Sequence, residues 1–211
     1  MSTEHGAGAE RQVGAGTENS ARTENAVPGR REWPRTLVNR WPTAMALLMT
    51  VTTLGGAGSD DGVATFSGIL LLLPLLYLVV AKLGRRRATW PLLVAGVAVI
   101  FVLEGLELIA PAAVFTAIAL VVLVWGAVDG QLRRSGVFRL QALGMLGFGA
   151  LALIGLAVDP DLGRYAVAAG WFLHGVWDLV HLKRDKVVSR SFAEWCCVVD
   201  IVIAIELAIG F

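Results

Sequence analysis

Between Gly170 and Asp200, five ionisable side chains, His174, Asp178, His181, Glu194 and Asp200, stand in or beside segments otherwise apolar enough to lie in lipid. Imidazoles and carboxylates so placed can bind a proton, an inorganic cation or a metal, and their types alone name no substrate. At about 100° per residue, positions 174, 178 and 181 share one face of a helix. Glu194, Cys196, Cys197 and Asp200 on the next helix spread over a sector. An ionised side chain at the bilayer centre costs about 2.5–3.5 kcal/mol on insertion scales, so such groups face a bundle interior, pair with one another or line water.

Three readings fit the cluster. His174, Asp178 and His181 form a metal triad suited to zinc or iron, with Glu194 or Asp200 needed to complete the shell. Alternatively the five groups make a proton or ion path, extended outward by Glu104, Glu107 and Glu206, with Asp129 at its inner mouth. The third reading is a hydrogen-bonded clasp, in which His174 meets Asp200 and His181 meets Glu194 and no chemistry follows. Interhelical hydrogen bonds in membranes average only about 0.6 kcal/mol, which makes a clasp a weak reason to carry five such groups to depth. Cys196 and Cys197 supply neither a disulfide framework nor a CxxC motif and read as reduced packing residues.

The elements that must position these groups are membrane helices. The chain has 211 residues, 56% hydrophobic and 17% charged, with a mean hydropathy of +0.67, outside the balance of a soluble domain. Residues 1–36 alternate Glu and Arg among Gly, Ala and Thr, cannot bury a core and read as a disordered cytoplasmic tail. They lack a signal-peptide layout. Over 37–211, seven apolar runs long enough to cross about 30 Å of hydrocarbon follow: 41–58, 63–83, 90–108, 111–128, 137–158, 165–182 and 192–211. A six-span count with one re-entrant pair competes, because 107–111 is a short connection.

Loop charge orients the bundle. Arg30, Arg31, Arg35, Arg40, Lys82, Arg85–Arg87, Arg133, Arg134, Arg139, Lys183, Arg184, Lys186 and Arg190 all fall on one side, and among the loops between the spans Arg164 alone falls on the other. Cytoplasmic loops carry the basic excess, so the amino end is expected inside and the carboxyl end outside. Trp41, Trp90, Trp125, Trp177 and Trp195 cluster near the inner ends as an interfacial belt. The fold expected is an all-α, seven-helix transmembrane bundle, multi-pass in the plasma membrane, with the bilayer as its partner and anionic headgroups against the cytoplasmic Arg clusters. Counting about 1.5 Å per residue from each helix end makes His174 level with Asp200, and His181 level with Glu194.

Several chemistries are excluded. The three lysines, Lys82, Lys183 and Lys186, all sit at inner helix ends, so no retinal Schiff base can form in the last helix. GxSxG, HExxH and Walker A patterns are absent. Nothing in the charge pattern suits nucleic acid.

His174-Gly-Val-Trp-Asp-Leu-Val-His181, followed by Phe192-Ala-Glu-Trp-Cys-Cys-Val-Val-Asp200, resembles the ends of a group of small polytopic bacterial membrane proteins with an HGxWDxxH and then an aromatic–Cys–Asp pattern. The likeness covers about the last forty residues. It departs at Leu182, where a second histidine often stands, and at Val188–Phe192, which replaces a Pro-aromatic turn. A looser likeness is to seven-helix intramembrane hydrolases of the alkaline ceramidase type, which hold zinc through histidines. Function is therefore expected to be proton, ion or metal binding for transport or sensing. The alternatives are a metal-dependent intramembrane enzyme acting on a lipid, and a structural subunit with a polar clasp. Substrate and oligomeric state are not legible.

Overall fold

The computed structural model describes residues 40–53, 56, 59–107 and 109–210; the tail expected over 1–36 lies outside them. Among the described residues the chain is all-helical. Eight α-helices follow one another: α1 (Trp41–Val51), α2 (Asp60–Leu83), α3 (Thr89–Leu106), α4 (Pro111–Val128), the short α5 (Gln131–Arg134), α6 (Gly136–Ala157), α7 (Pro160–Arg184) and α8 (Arg190–Ile209), with a 3-10 turn at Arg86–Ala88.

Four stretches, Asp61–Leu83, Arg86–Leu106, Pro111–Val128 and Gly136–Ala157, are long and apolar enough to cross a membrane, which marks the chain as a membrane protein. Seven such runs were expected. The first stops early: α1 has 11 residues and is about 16 Å long. Thr52 and Thr53 bond back to the carbonyls of Met49 and Thr50 and close it with a tight last turn. α7 and α8 have the length, but His174, Asp178 and His181 on one and Glu194, Asp200 and Glu206 on the other lower their apolarity. The two long helices that are less apolar than the four are the ones that carry the polar cluster.

Local chemistry sets the helix ends. Ser59 accepts a hydrogen bond from Gly62 N at 3.0 Å and so caps the start of α2, where the exposed Asp61 suits the helix dipole. Ser135 caps α6 through Phe138 N at 3.2 Å, and Asp159 precedes Pro160 at the start of α7. α2 ends at Gly84, whose φ of 63° is the left-handed conformation that glycine adopts without strain.

α2 is the centre of the bundle. Of its apolar window 78% is buried, against 17% for α3 at the edge. Leu70–Leu73 and Leu75–Leu78, Tyr77 among them, are all buried, so the helix is apolar on every side and enclosed on every side. It packs on α3, α4, α6 and α7; α7 packs on α6 and α8; α1 lies against α8. Where α6 crosses α7, Gly163 faces the Gly155 carbonyl so closely that a Cβ on Gly163 would collide with it, a close approach typical of membrane helix pairs.

Side-chain contacts tie the two ends of the bundle. At the basic end Lys82 pairs with Asp129 and lies 4.3 Å from the Trp125 ring centroid. Arg86 pairs with Asp185 and donates to Val188 O at 3.0 Å. At the far end Arg164 donates to the Leu207 carbonyl, and the Thr53 hydroxyl donates to Glu206 at 3.2 Å.

Candidate metal centre

The site grows from two i, i+4 pairs and one hydroxyl. On α7, His174 and Asp178 lie about 40° and one turn apart, and Cys196 and Asp200 stand in the same relation on α8. Gly175 lets the two helices meet: a Cβ there would lie 3.2 Å from Asp200 Cβ and 3.0 Å from Ile201 Cδ1. Any larger residue would hold α8 back from the His174 face of α7. Tyr77 enters from the central helix α2.

His174, Asp178, Cys196 and Asp200 are all fully enclosed. His174 Nδ1 is 2.7 Å from Asp200 Oδ2, in hydrogen-bond geometry. It is also 3.4 Å from Asp178 Oδ2, within ion-pair range but without hydrogen-bond geometry, and that oxygen is left unpartnered. The Tyr77 hydroxyl donates to Asp178 Oδ1. The Cys196 thiol donates to Asp200 Oδ1 at 3.6 Å. His174 Nε2 has no partner. Ligand atoms of His174, Asp178, Cys196 and Asp200 all fall within 4.8 Å of one another, the scale on which one cation is shared. The rings of Tyr77 and Phe148 wall the imidazole edge-on, with centroids at 5.7 and 5.0 Å.

The other expected members lie elsewhere. His181 follows His174 on the same face, but two turns, about 10 Å, closer to the basic end. There Nδ1–H donates to Trp177 O at 2.9 Å and Nε2 accepts from the Gln141 amide at 3.0 Å. Both ring nitrogens are thus engaged, and the paired bonds set the neutral Nδ1–H tautomer. The pairing of His181 with Glu194 is not made. Six residues before Asp200, Glu194 is turned about 120° away, toward α1, where it accepts from Thr43 Oγ1 at 2.6 Å and Arg40 at 3.3 Å. The triad of His174, Asp178 and His181 is accordingly replaced by a set drawn from two helices, and levelness in depth did not specify rotation about the helix axis.

The outward extension is partly built. Glu206 is buried and takes the Thr53 bond, with Oε2 unpartnered. Glu104 accepts from Thr65 at 3.3 Å. Glu107 is exposed at the end of α3. A cavity of about 180 Å³ runs from Cys196 and Asp200 to Thr53, Thr65 and Glu104, apolar between its ends; neither Glu107 nor Glu206 lines it. Asp129, expected at a path's inner mouth, is paired with Lys82. Outside the spans, the hydrogen bond and charge of Arg86 hold the exposed Asp185 carboxyl below its ordinary range.

Two residues of the cluster were not singled out from sequence. Tyr77 is the one polar-tipped side chain in the run from Ile69 to Val80, which is the signal that could have found it. Cys196 stands four residues before Asp200, hence on its face. Comparison with protein-family models, curated proteins and solved structures finds no match for this chain.

Proposed function

We propose that the chain is an integral membrane protein whose apolar runs form seven spans, amino end in the cytoplasm, and that His174, Asp178, Cys196 and Asp200 bind a divalent transition-metal ion for transport or sensing. The observation that carries this reading is the convergence of four enclosed donors, with Asp178 Oδ2 unsatisfied. An imidazole nitrogen, a thiolate and two carboxylates are the donor set of zinc or iron, not of calcium or magnesium, which take oxygen. Two carboxylates buried side by side repel unless a cation or protons lie between them. A divalent ion supplies that charge, and the hydrogen bond of Tyr77 orients the Asp178 carboxylate that receives it.

Metal analysis of the full-length protein purified without chelator tests the proposal. One zinc or iron per chain, lost in His174→Ala and Asp178→Ala but kept in His181→Ala, is the expected result. Metal-free wild type that also takes up none on dialysis against zinc would sink it. A reporter fused to the carboxyl end tests the topology and should read out on the outer face.

A metal-dependent enzyme acting on a lipid is the second reading. The apolar cavity that ends on Cys196 and Asp200 favours it, since a membrane-soluble substrate could reach the centre without crossing water.

A further inference from the structure

We propose that this cavity binds one acyl chain of a membrane glycerolipid, admitted sideways from the bilayer between α1 and α3, with the chain's ester carbonyl accepting a hydrogen bond from Trp195 Nε1–H.

Four observations meet there. First, the wall formed by the described residues has a gap between two helices. α1 packs on α8, and α3 packs on α2 and α4, but among the described residues α1 and α3 do not pack along their length. They meet at their basic ends, where the Trp41 and Trp90 ring centroids are 5.7 Å apart. Toward the far end the cavity fills the space between them, lined by Thr53 on one side and Val97 and Phe101 on the other. Phe101 is exposed, and the medium it faces in a membrane is acyl chain.

Second, the interior is apolar and of guest size. At about 180 Å³ it slightly exceeds the apolar cavities of about 150 Å³ that stay dry and admit benzene. Water would find few partners along Phe66, Leu73, Val97 and Ile203.

Third, one donor in the lining is unsatisfied. Trp195 is buried, lines the cavity and has no acceptor for its Nε1–H, a state that costs free energy unless a ligand supplies an oxygen. A hydrocarbon cannot; an acyl ester can.

Fourth, the lengths agree. Trp195 stands five residues into α8, about 7 Å from the basic end, the depth at which glycerol esters lie beneath their headgroups. From Trp195 to Ile203 the cavity follows α8 for about 12 Å, so a chain anchored at its ester runs past Cys196 and Asp200 toward Thr53 and Glu104.

The inference shares Cys196 and Asp200 with the proposed metal centre but stands on the cavity, so the two can fail separately. The full-length protein is reconstituted in nanodiscs of phosphatidylcholine bearing a diazirine midway along one acyl chain, irradiated, and the adducts mapped by mass spectrometry. Adducts on Phe66, Trp171 and Ile203, which bulk lipid cannot touch in this fold, are expected alongside those on outward-facing Leu120 and Val121. Val97→Trp fills the cavity and should abolish the first set while sparing the second. Thr53→Trp at the mouth does the same should the first variant not fold. Trp195→Phe, which removes the donor and leaves an aromatic ring in the lining, should cut interior labelling about fivefold. Labelling confined to Leu120, Val121 and their like overturns the proposal, as does interior labelling that survives both filled variants; unchanged labelling in Trp195→Phe overturns the ester anchor. Interior labelling in a protein that takes up no metal leaves the lipid site standing and removes the metal reading; metal without interior labelling does the reverse.

Discussion

His174 Nδ1 lies 2.7 Å from Asp200 Oδ2 and so joins α7 to α8 inside the bundle. The bond assigns the proton to Nδ1 and leaves the Nε2 lone pair facing no protein donor. Asp200 is also one of the four donors that converge within 4.8 Å. Asp200→Asn tests what this carboxylate does, because the amide keeps the size and one acceptor oxygen but loses the charge. If the pair serves a metal, affinity should fall by at least the roughly 10–100-fold lost with a residue that merely orients a ligand, read by competition with a chromophoric chelator. If it is a clasp alone, affinity has nothing to lose and only a small change in thermal stability follows.

Gly175 supplies the second prediction. A Cβ at this position meets Asp200 Cβ at 3.2 Å, and Asp200 Cβ is tied closely to its own backbone. Gly175→Ala must push α8 outward or twist it, and overpacking of this kind costs about 1–3 kcal/mol. Gly147→Ala on α6 meets nothing within 4 Å and should be neutral or slightly stabilising through helix propensity. Melting temperatures in one detergent compare the two variants, and Gly175→Ala should also lose metal affinity.

The elements were more legible than the contacts between them. Pro111–Val128 coincides with its apolar run, and the other runs match their helices within a few residues except at α1, because hydropathy reports the length of chain that lipid or core can hold. The meeting of His174 with Asp200 could be read from depth, since a short loop joins antiparallel α7 and α8. What depth could not supply was rotation. For α7 that is set by packing on α2, whose stretch from Leu70 to Leu78 is leucine on all sides but for Pro74 and Tyr77 and so carries no stripe from which to infer facing residues, and for α8 it is set by packing on α1. Tyr77 was hidden for that reason, and Glu194 was assigned to the wrong neighbour.

The separation of His181 from Glu194 yields a third test. Each has its own partners, Gln141 and Trp177 O for one, Arg40 and Thr43 for the other. Sites without shared partners add within about 0.3–0.5 kcal/mol. A double-mutant cycle of His181→Ala and Glu194→Ala should show no coupling beyond that margin, whereas Thr43→Ala and Glu194→Ala should couple, since removing either loses the same 2.6 Å bond. Coupling between His181 and Glu194 would restore the pairing read from depth.

The loop between α7 and α8 offers a test by pH. Arg86 bonds the exposed Asp185 and lowers its carboxyl pKa from the ordinary 3.8. A carboxyl whose folded pKa is depressed stabilises the fold above its unfolded pKa, and loses that contribution as pH falls through the folded one. The melting temperature of wild type should therefore exceed that of Arg86→Gln at pH 6, and the gap should narrow as pH drops below about 4. It should not close completely, because Arg86 also donates to the Val188 carbonyl at 3.0 Å, a bond indifferent to the state of Asp185. Asp185→Asn separates the two contributions: it removes the titrating group and keeps the carbonyl bond, so its melting temperature relative to Arg86→Gln should be flat across the same range. A gap that instead stays constant toward acid would mean that the ion pair is unmade in the folded protein.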